Sequence, residues 1–547
     1  MASMRAWATA VLVLAAGTAI HAGCGDDSTD GQSTTVAGTT SGTGGTTTTG
    51  QPGGAGVGGA VGGGAVGGGG ATAACQDRPP ASQLPFDFQR ANVGTPVEQS
   101  DLEAITDRYL ELLRDIRYFD FLEERVHGWP ESDPQQGYWY GTWWSGVVVQ
   151  KQGGQVTYHH VDVGADNNGL RTGPLLEGAL YAHLLWDDPA HEHLLRKMVR
   201  GFTSWIMAME QNGVTTPTLL SRAAYPANIE STDGGRSVLF DYSLNRPGVD
   251  NGATEYVNVP TNPHWGDIWI KNKRSKDCIG QMARALGQLR GYPGCSSADT
   301  STDLTDAWDR YGAWSRQVED DGWGIATYDS NRIIYIPMED LARFVLTGGA
   351  ECSGVLALRL MGRGDPGTLN CDDGISLPED LAFFNDTLMK SGNKQMLRAY
   401  HQAAISWALD TGQDAVAHTL VQGLATRLDR NMGYLQQNGQ LPDNLHTPDL
   451  VTLIAQAATL GVPLTSREVR WVHQQIDAAR AEYLQPSWHD RFHVFDSSTP
   501  DGDYPDEPNS GQLMLYDLGL LLGSCASRWR NTTSQPLLDC ATVLQGP

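Results

Sequence analysis

From Asp101 onward the apolar residues recur at helical spacing. Leu102, Ile105, Tyr109, Leu112, Leu113, Ile116 and Phe119 trace one face of a helix. The same period predicts helices over 174–186, 190–210, 276–290, 302–318, 338–347, 352–362, 379–390, 394–410, 414–430, 447–460, 465–483, 511–530 and 535–545. Start signals precede several of them: Asp187-Asp188-Pro189, Pro378-Glu379-Asp380 and Thr465-Ser466-Arg467-Glu468. Gly291, Gly348 and Gly412 stand where helices end. Short connections between such helices make αα-hairpins. About a dozen helices in paired order point to an all-α fold, an (α/α) toroid with an inner ring of helices around a cleft and an outer ring covering it. A superhelical array is the alternative, but no fixed repeat of about 34 or 40 residues is visible.

Two stretches break the period. Residues 128–173 and 212–275 are rich in aromatics, Gly, Asn, Pro and Thr. Within the first, Val147-Val148-Val149 and Val156-Thr157-Tyr158 predict a short β-hairpin through Gly153-Gly154. Loops this long on a helical scaffold are uncommon unless they carry function.

The chain ahead of the helices is of another kind. Residues 1–24 read as an export signal: Arg5 is the only charge before an apolar run from Ala6 to Ile20, and Ala22-Gly23-Cys24 resembles a bacterial lipobox in which Cys24 is lipidated. Residues 25–74 contain no aromatic, Leu, Ile, Lys or Arg. They cannot bury enough apolar area to offset chain entropy and predict a disordered tether, reaching roughly 40 Å at about 5–6 Å × √n. Residues 75–547 form the expected toroid domain. Leu513–Leu522, the most apolar later stretch, contains Asp517 and is too short to span a bilayer. The expected location is therefore the bacterial cell envelope, facing periplasm or cell surface, with a lipid anchor as the only membrane contact.

Charge narrows the partners. Thirty-eight Lys+Arg stand against 63 Asp+Glu, a net charge of −25. Such a surface repels phosphate backbones, which argues against nucleic acid. Hydrophobic residues make up 40%, enough for a core. Beyond Cys24 and Cys75, six cysteines fall into neighbouring pairs. An exported protein can keep disulfides, so Cys278–Cys295, Cys352–Cys371 and Cys525–Cys540 are expected, although six cysteines allow 15 connectivities. Isolated buried thiols are the alternative, and no Cys/His spacing suggests zinc.

Asp166-Asn167-Asn168-Gly169-Leu170-Arg171-Thr172-Gly173, with the helix to Trp186 and Asp187-Asp188-Pro189 after it, resembles a pattern in the six-hairpin glycosidase and polysaccharide-lyase group of (α/α)-toroid proteins. There, Asp-Asn-Asn-Gly-Leu-Trp-Thr leads into an inner helix. A second pattern of that group, Lys-Gly-Asp-Thr-Ser-Ser-Asp-Glu, is matched at Lys271, Ser275 and Asp277 only, with Lys273 and Cys278 replacing acidic residues. The resemblance implies a cleft for a sugar or uronic-acid polymer and leaves the reaction open.

The candidate chemistry follows two lines. A hydrolase needs two carboxyl groups about 5–5.5 Å or 6.5–9.5 Å apart. Asp166, Asp267 and Asp277 lead, with Glu230 and Glu255 behind them. Lyases of this scaffold commonly combine Asn, His, Tyr and Arg, which Asn167, His160, Tyr256, His264 and Arg274 supply; an imidazole is suited to abstract the C5 proton of a uronate. Asn168 and Arg171 complete the first motif as substrate contacts. Tyr138, Trp139, Trp143 and Trp144, together with Trp265 and Trp269, offer aromatic faces for stacking on pyranose rings. Helix capping by Asp166 and plain loop packing of the aromatics are the bland alternatives. Asp496, Asp501 and Asp503 lie in a Gly/Pro loop where closely spaced oxygens suit Ca²⁺, or where a solvated acidic loop simply runs. No other cofactor is expected. No dinucleotide, P-loop or Gly-x-Ser-x-Gly motif appears. The readings are a monomeric hydrolase or lyase acting on poly- or oligosaccharide, or a non-catalytic binder on the same scaffold.

Overall fold

The computed structural model describes residues 88–91, 94–130, 139–143, 147–152, 155–160, 168–208, 210, 224–226, 230–233, 236–241, 256–271, 276–289, 297–320, 324–326, 333–335, 399, 401–403, 405–406, 409, 414–442, 445–484, 513, 515–526 and 535–547. They are mostly helical, with short strands grouped between the helices.

The helical period is realised. α1 (Gln99–Asp115) buries Leu102, Ile105, Tyr109, Leu112 and Leu113, and Ile116 is buried just beyond its end. Phe119, in α2 (Tyr118–Arg125), is only partly buried and meets Trp186 edge-on. α4 (Pro189–Met207) starts where its signal lies: Asp188 is the cap, its carboxylate accepting from the Ala190 N–H at 3.0 Å, and Pro189 opens the first turn. α9 (Ser466–Tyr483) has the Thr465/Glu468 capping box. The remaining long helices are α3 (Asn168–Trp186), α5 (Lys276–Leu289), α6 (Ala298–Asp320), α7 (Asp414–Asn438) and α8 (Thr447–Thr459).

Three boundaries differ from expectation. α3 begins at Asn168, so Pro174 sits inside the helix instead of opening it. Packing overrides the proline preference, because residues 171–183 are buried without a break. The helix expected over 511–530 is a 3₁₀ helix, η1 (Leu515–Leu522), followed by the one-turn α10 (Gly523–Ala526). The helix expected over 535–545 shrinks to α11 (Cys540–Val543). Described positions within 394–410 are helical. The helices expected over 338–347, 352–362 and 379–390, and Gly291, Gly348 and Gly412, lie outside the described residues.

Close contacts give the helices their directions. Gly173 of α3 abuts the Gln281 carbonyl of α5, where a Cβ would stand 2.8 Å away. Further along both helices, Glu177 accepts from Arg284 Nε at 2.9 Å and from the Tyr181 hydroxyl at 2.7 Å. The two contacts advance together, so α3 and α5 run parallel. On its other side α3 meets η1 and α10: Gly178 touches Gly519 backbone to backbone, and Gly523 lies against the Tyr181 ring. These also run parallel. Thr459, at the end of α8, meets Gly523 at the same level. The order is therefore α5, α3, η1–α10, α8, in one row.

A second layer covers it. α4 and α6 are joined by Arg196–Asp303 at 2.6 Å and by the Tyr311 hydroxyl donating to the Phe202 carbonyl. α1 and α9 are joined by Arg470–Asp101, Arg108–Asp477 and Arg480–Asp115. In each pair the partners advance together, so these are parallel pairs too. α3–α4 is an antiparallel hairpin turning at Asp187, whose φ is 47°. Residues 88–91 and 94–98 strap the body: the buried side chain of Arg90 reaches Asp429 of α7 at 2.7 Å and Glu468 of α9 at 2.8 Å, and Pro96 bridges to Thr465.

The expected hairpin forms as β3 (Val147–Gln152) and β4 (Gln155–His160), paired from Val147↔His160 to Gln152↔Gln155. It is part of a four-stranded sheet in the order β3-β4-β7-β6, with β6 (Glu230–Asp233) and β7 (Arg236–Asp241); β4 and β7 are parallel. β1 (Val126–Pro130) pairs with β2 (Trp139–Trp143), and β5 (Ala224–Pro226) lies beside β9 (Gly266–Lys271), which pairs with β8 (Tyr256–Asn262). A two-stranded ribbon, β10 (Gly324–Ala326) and β11 (Ile333–Tyr335), follows α6. The strand content therefore extends well beyond one hairpin. Alternation such as Val257-x-Val259 and Ile268-x-Ile270 is a strand pattern that a helical reading passes over.

Cys525 and Cys540 form the expected disulfide. Cys295, Cys352 and Cys371 lie outside the described residues, as does the side chain of Cys278 in α5. No described helix is long and apolar enough to cross a membrane.

Two outcomes follow. Gly178→Leu forces a side chain into the Gly519 backbone and costs about 3 kcal/mol or more, read as a lower urea midpoint with α3 and η1 losing amide protection first. Buried His401 is pushed down to about 3 by burial and by Arg427 beside it, and its Nε2 lies 2.9 Å from the Leu420 carbonyl oxygen. Below about pH 6.5 the unfolded imidazole gains its proton while the folded one stays neutral, so stability falls from there down to about pH 3. His401→Gln keeps a donor and flattens that acid limb in denaturant titrations; an unchanged slope would assign the limb to other groups.

Candidate functional site

Two of the strands lead toward buried helices. β4 ends at His160 shortly before α3 begins at Asn168, and β9 ends at Lys271 shortly before α5 begins at Lys276. Because α3 and α5 are parallel and level, their N-terminal ends lie side by side. Asn168 is the first residue of α3 and Asp277 the second of α5. The fold thus brings two of the motif positions to one end of one helix pair. Asp166 and Asn167, immediately upstream of Asn168, lie outside the described residues. So do Arg274, Tyr138, Trp144, Cys24 and the calcium candidates Asp496, Asp501 and Asp503. Arg171 is buried within α3, one turn below that end.

The β8–β9 hairpin carries the best-defined candidate chemistry. Its inner face is apolar: Val259, Ile268 and Ile270 are buried with Ala208 and Ala224. On the outer face Asn258 lies opposite Trp269 in register, and its amide donates both to Asp267 Oδ1 and to the Ile268 carbonyl, the latter at 3.2 Å. Asp267 is exposed and Trp269 half-buried. A carboxylate and an amide held together beside an indole face supply paired hydrogen-bonding groups and a stacking surface at once. Tyr256 stands at the start of β8, opposite Lys271, and Tyr225 of β5 lies opposite Trp269.

The hairpin turn is built by buried Asn262. Its Oδ1 accepts from the His264 and Trp265 N–H groups at 2.9 and 3.0 Å. Its Nδ2 donates to the carbonyls of Met207 at 2.8 Å and Glu210 at 3.2 Å. This ties the turn to the end of α4 and aims His264 at Glu210, with Nε2 and Oε2 2.5 Å apart. Arg310 of α6 reaches the other Glu210 oxygen at 3.3 Å and also pairs with Asp306. Trp265 meets Tyr140 of β2 edge-on at 5.6 Å, and the Arg200 guanidinium lies 5.7 Å over the Tyr140 ring. Burial raises the Tyr140 phenol above its ordinary pKa; Asp306 and Asp303 add to this and Arg310 opposes it. Tyr140 therefore stays a neutral donor across the physiological range.

The arrangement has the parts of acid–base chemistry: an imidazole oriented by a carboxylate that is itself held by a guanidinium. Of the sequence candidates, the fold unites His264, Trp265, Asp267 and Trp269 on one hairpin. His160, Trp139 and Trp143 are placed at strand ends. Glu210, Arg310, Asn258 and Asn262 join them without being sequence candidates. Asn262-Pro263 is a turn signal that would have indicated the hairpin, whereas no spacing links Glu210 or Arg310 to His264. Among the described residues no three His, Cys, Asp or Glu gather as a metal-ligand set.

The chain matches no family model, no curated protein and no solved structure.

Asn262→Ala removes four hydrogen bonds around one buried side chain. It costs about 2 kcal/mol and releases the turn, so the His264 ring resonances lose their dependence on Glu210. Retention of that dependence, compared by NMR with Glu210→Gln, would show that the turn holds without Asn262.

Proposed function

We propose that this is an exported, lipid-anchored carbohydrate-active protein, a glycoside hydrolase or polysaccharide lyase working at the N-terminal end of the buried helix row. One observation carries the reading: α3 and α5 are parallel and level, and each is entered from a strand cluster bearing aromatics and acid–base residues. The parallel packing of α3 with α5 and with η1–α10, and the parallel pairs α4–α6 and α1–α9, support an (α/α) toroid, and we take the row to continue into such a ring. Asp166 and Asp277 are the proposed acids. His264, oriented by Glu210, is the proposed base for a lyase reaction. Asp267, Asn258 and Trp269 hold a sugar ring, and the disulfide Cys525–Cys540 suits the oxidising compartment that export through Cys24 implies.

Non-catalytic binding on the same scaffold is favoured by one feature: Asp267 is engaged by Asn258 and His264 by Glu210, as in a surface set for hydrogen bonding to hydroxyls.

The test is incubation of the full chain with a polysaccharide panel. Reducing ends without ultraviolet absorbance indicate hydrolysis, and both signals together indicate lyase action. Asp277→Asn lowers turnover by about 10²–10⁴-fold without loss of helical signal. Binding without products, weakened by Trp269→Ala, supports the binder. Neither binding nor products on any acidic or neutral polymer removes the carbohydrate reading.

A further inference from the structure

A concave surface lies between α7 and α9, remote in sequence from the hairpin. This open groove has a volume of about 410 Å³ and is lined by Met432, Leu435, Gln436, Arg467, Trp471 and Gln474 among others. Its apolar side is anchored in the fold: Met432 is buried, and Leu435 and Trp471 pack against the main core. The two arginines beside it differ. Arg470 is paired with Asp101 at 2.8 Å. Arg467 donates through Nη1 to the Gln436 side-chain oxygen, a neutral acceptor, and has no carboxylate partner among the described residues. Its neighbour Glu468 is turned inward, to the Thr465 N–H at 2.6 Å and to Arg90 at 2.8 Å.

In a chain of net charge −25, a guanidinium left with a neutral partner in a concavity is unusual. A guanidinium is a planar fork matched to carboxylate oxygens. An indole beside it takes the apolar face of a ring. Side-chain amides at Gln436 and Gln474 add hydrogen bonds at the rim. The volume lies toward the lower end of the range of small-molecule sites and admits one ring with substituents.

We propose that this groove binds a ring compound carrying a carboxylate, with the ring on Trp471 and the carboxylate on Arg467. A sugar acid and an aromatic acid share this chemistry. Titration calorimetry on the full chain with glucuronate, benzoate and glucose separates them. At least one of the two carboxylates binds, and glucose does not bind at the same concentrations. Binding of glucuronate alone assigns a sugar acid, and binding of benzoate alone an aromatic one. Arg467→Gln weakens the bound carboxylate at least tenfold, and Arg467→Lys falls between the two. Circular dichroism confirms folding, since among the described residues Arg467 has only the Gln436 bond to lose. Asp267→Ala leaves the affinity unchanged, which keeps this site separate from the hairpin. Failure of both carboxylates to bind, equal binding of glucose, full affinity in Arg467→Gln, or loss in Asp267→Ala each overturns the proposal.

Discussion

The backbone contact between Gly178 and Gly519 is the constraint on which the rest of the described architecture turns. A Cβ on either glycine would stand under 3 Å from the other's Cα, so only two glycines allow α3 and η1 to approach this closely. That approach places the C-terminal segment against the first buried helix. The hydroxyls of Tyr109 and Tyr118 then reach the Leu518 carbonyl and the Gly519 N–H. Disulfide Cys525–Cys540 closes the same region. α3 thus touches α5 on one side and η1–α10 on the other, and the level N-termini of α3 and α5 are set by the first of these contacts.

Buried charges act as register pins on this frame. Glu177–Arg284 joins α3 to α5, Arg196–Asp303 joins α4 to α6, and Arg90 joins the entering strap to α7 and α9. Each pair is withdrawn from water, where desolvation offsets much of the Coulomb gain. Their value lies in what they exclude. A one-residue slip between α3 and α5 would strand a buried carboxylate and a buried guanidinium, a cost of about 3–5 kcal/mol. Apolar packing alone tolerates such slips far better.

Local signals in the sequence were legible where local physics decides. The buried face of α1, the Asp188 and Thr465 caps, the β3–β4 hairpin and the Cys525–Cys540 bridge all follow from spacing or from one residue's own hydrogen bonds. Features that depend on partners distant in sequence were not. α3 starts six residues before Pro174 because Gly173 and its neighbours are buried against α5, which outweighs the lost hydrogen bond. η1 tightens into a 3₁₀ helix where Gly519 lies against α3. At the site, His264, Trp265, Asp267 and Trp269 were visible as one cluster, but their supports were not. Glu210 follows the end of α4, Arg310 lies in α6 and Asn262 in β8, and only the packing of those elements makes them neighbours.

The surplus of acidic residues gives this division a functional meaning. With 38 cationic side chains against 63 anionic ones, an arginine finds a carboxylate easily, and Arg90, Arg108, Arg117, Arg196, Arg200, Arg284, Arg310, Arg470 and Arg480 have each done so. Those pairs hold helices together or sit on their surfaces. A cation facing a neutral amide, as Arg467 does, contributes nothing comparable to the frame. Likewise, Asp267 on an exposed strand supports no packing, and Trp269 is not sealed into the core. Residues that the frame does not require, held in fixed positions by residues that it does, are where ligand chemistry has room to operate, because their substitution changes recognition before it changes folding.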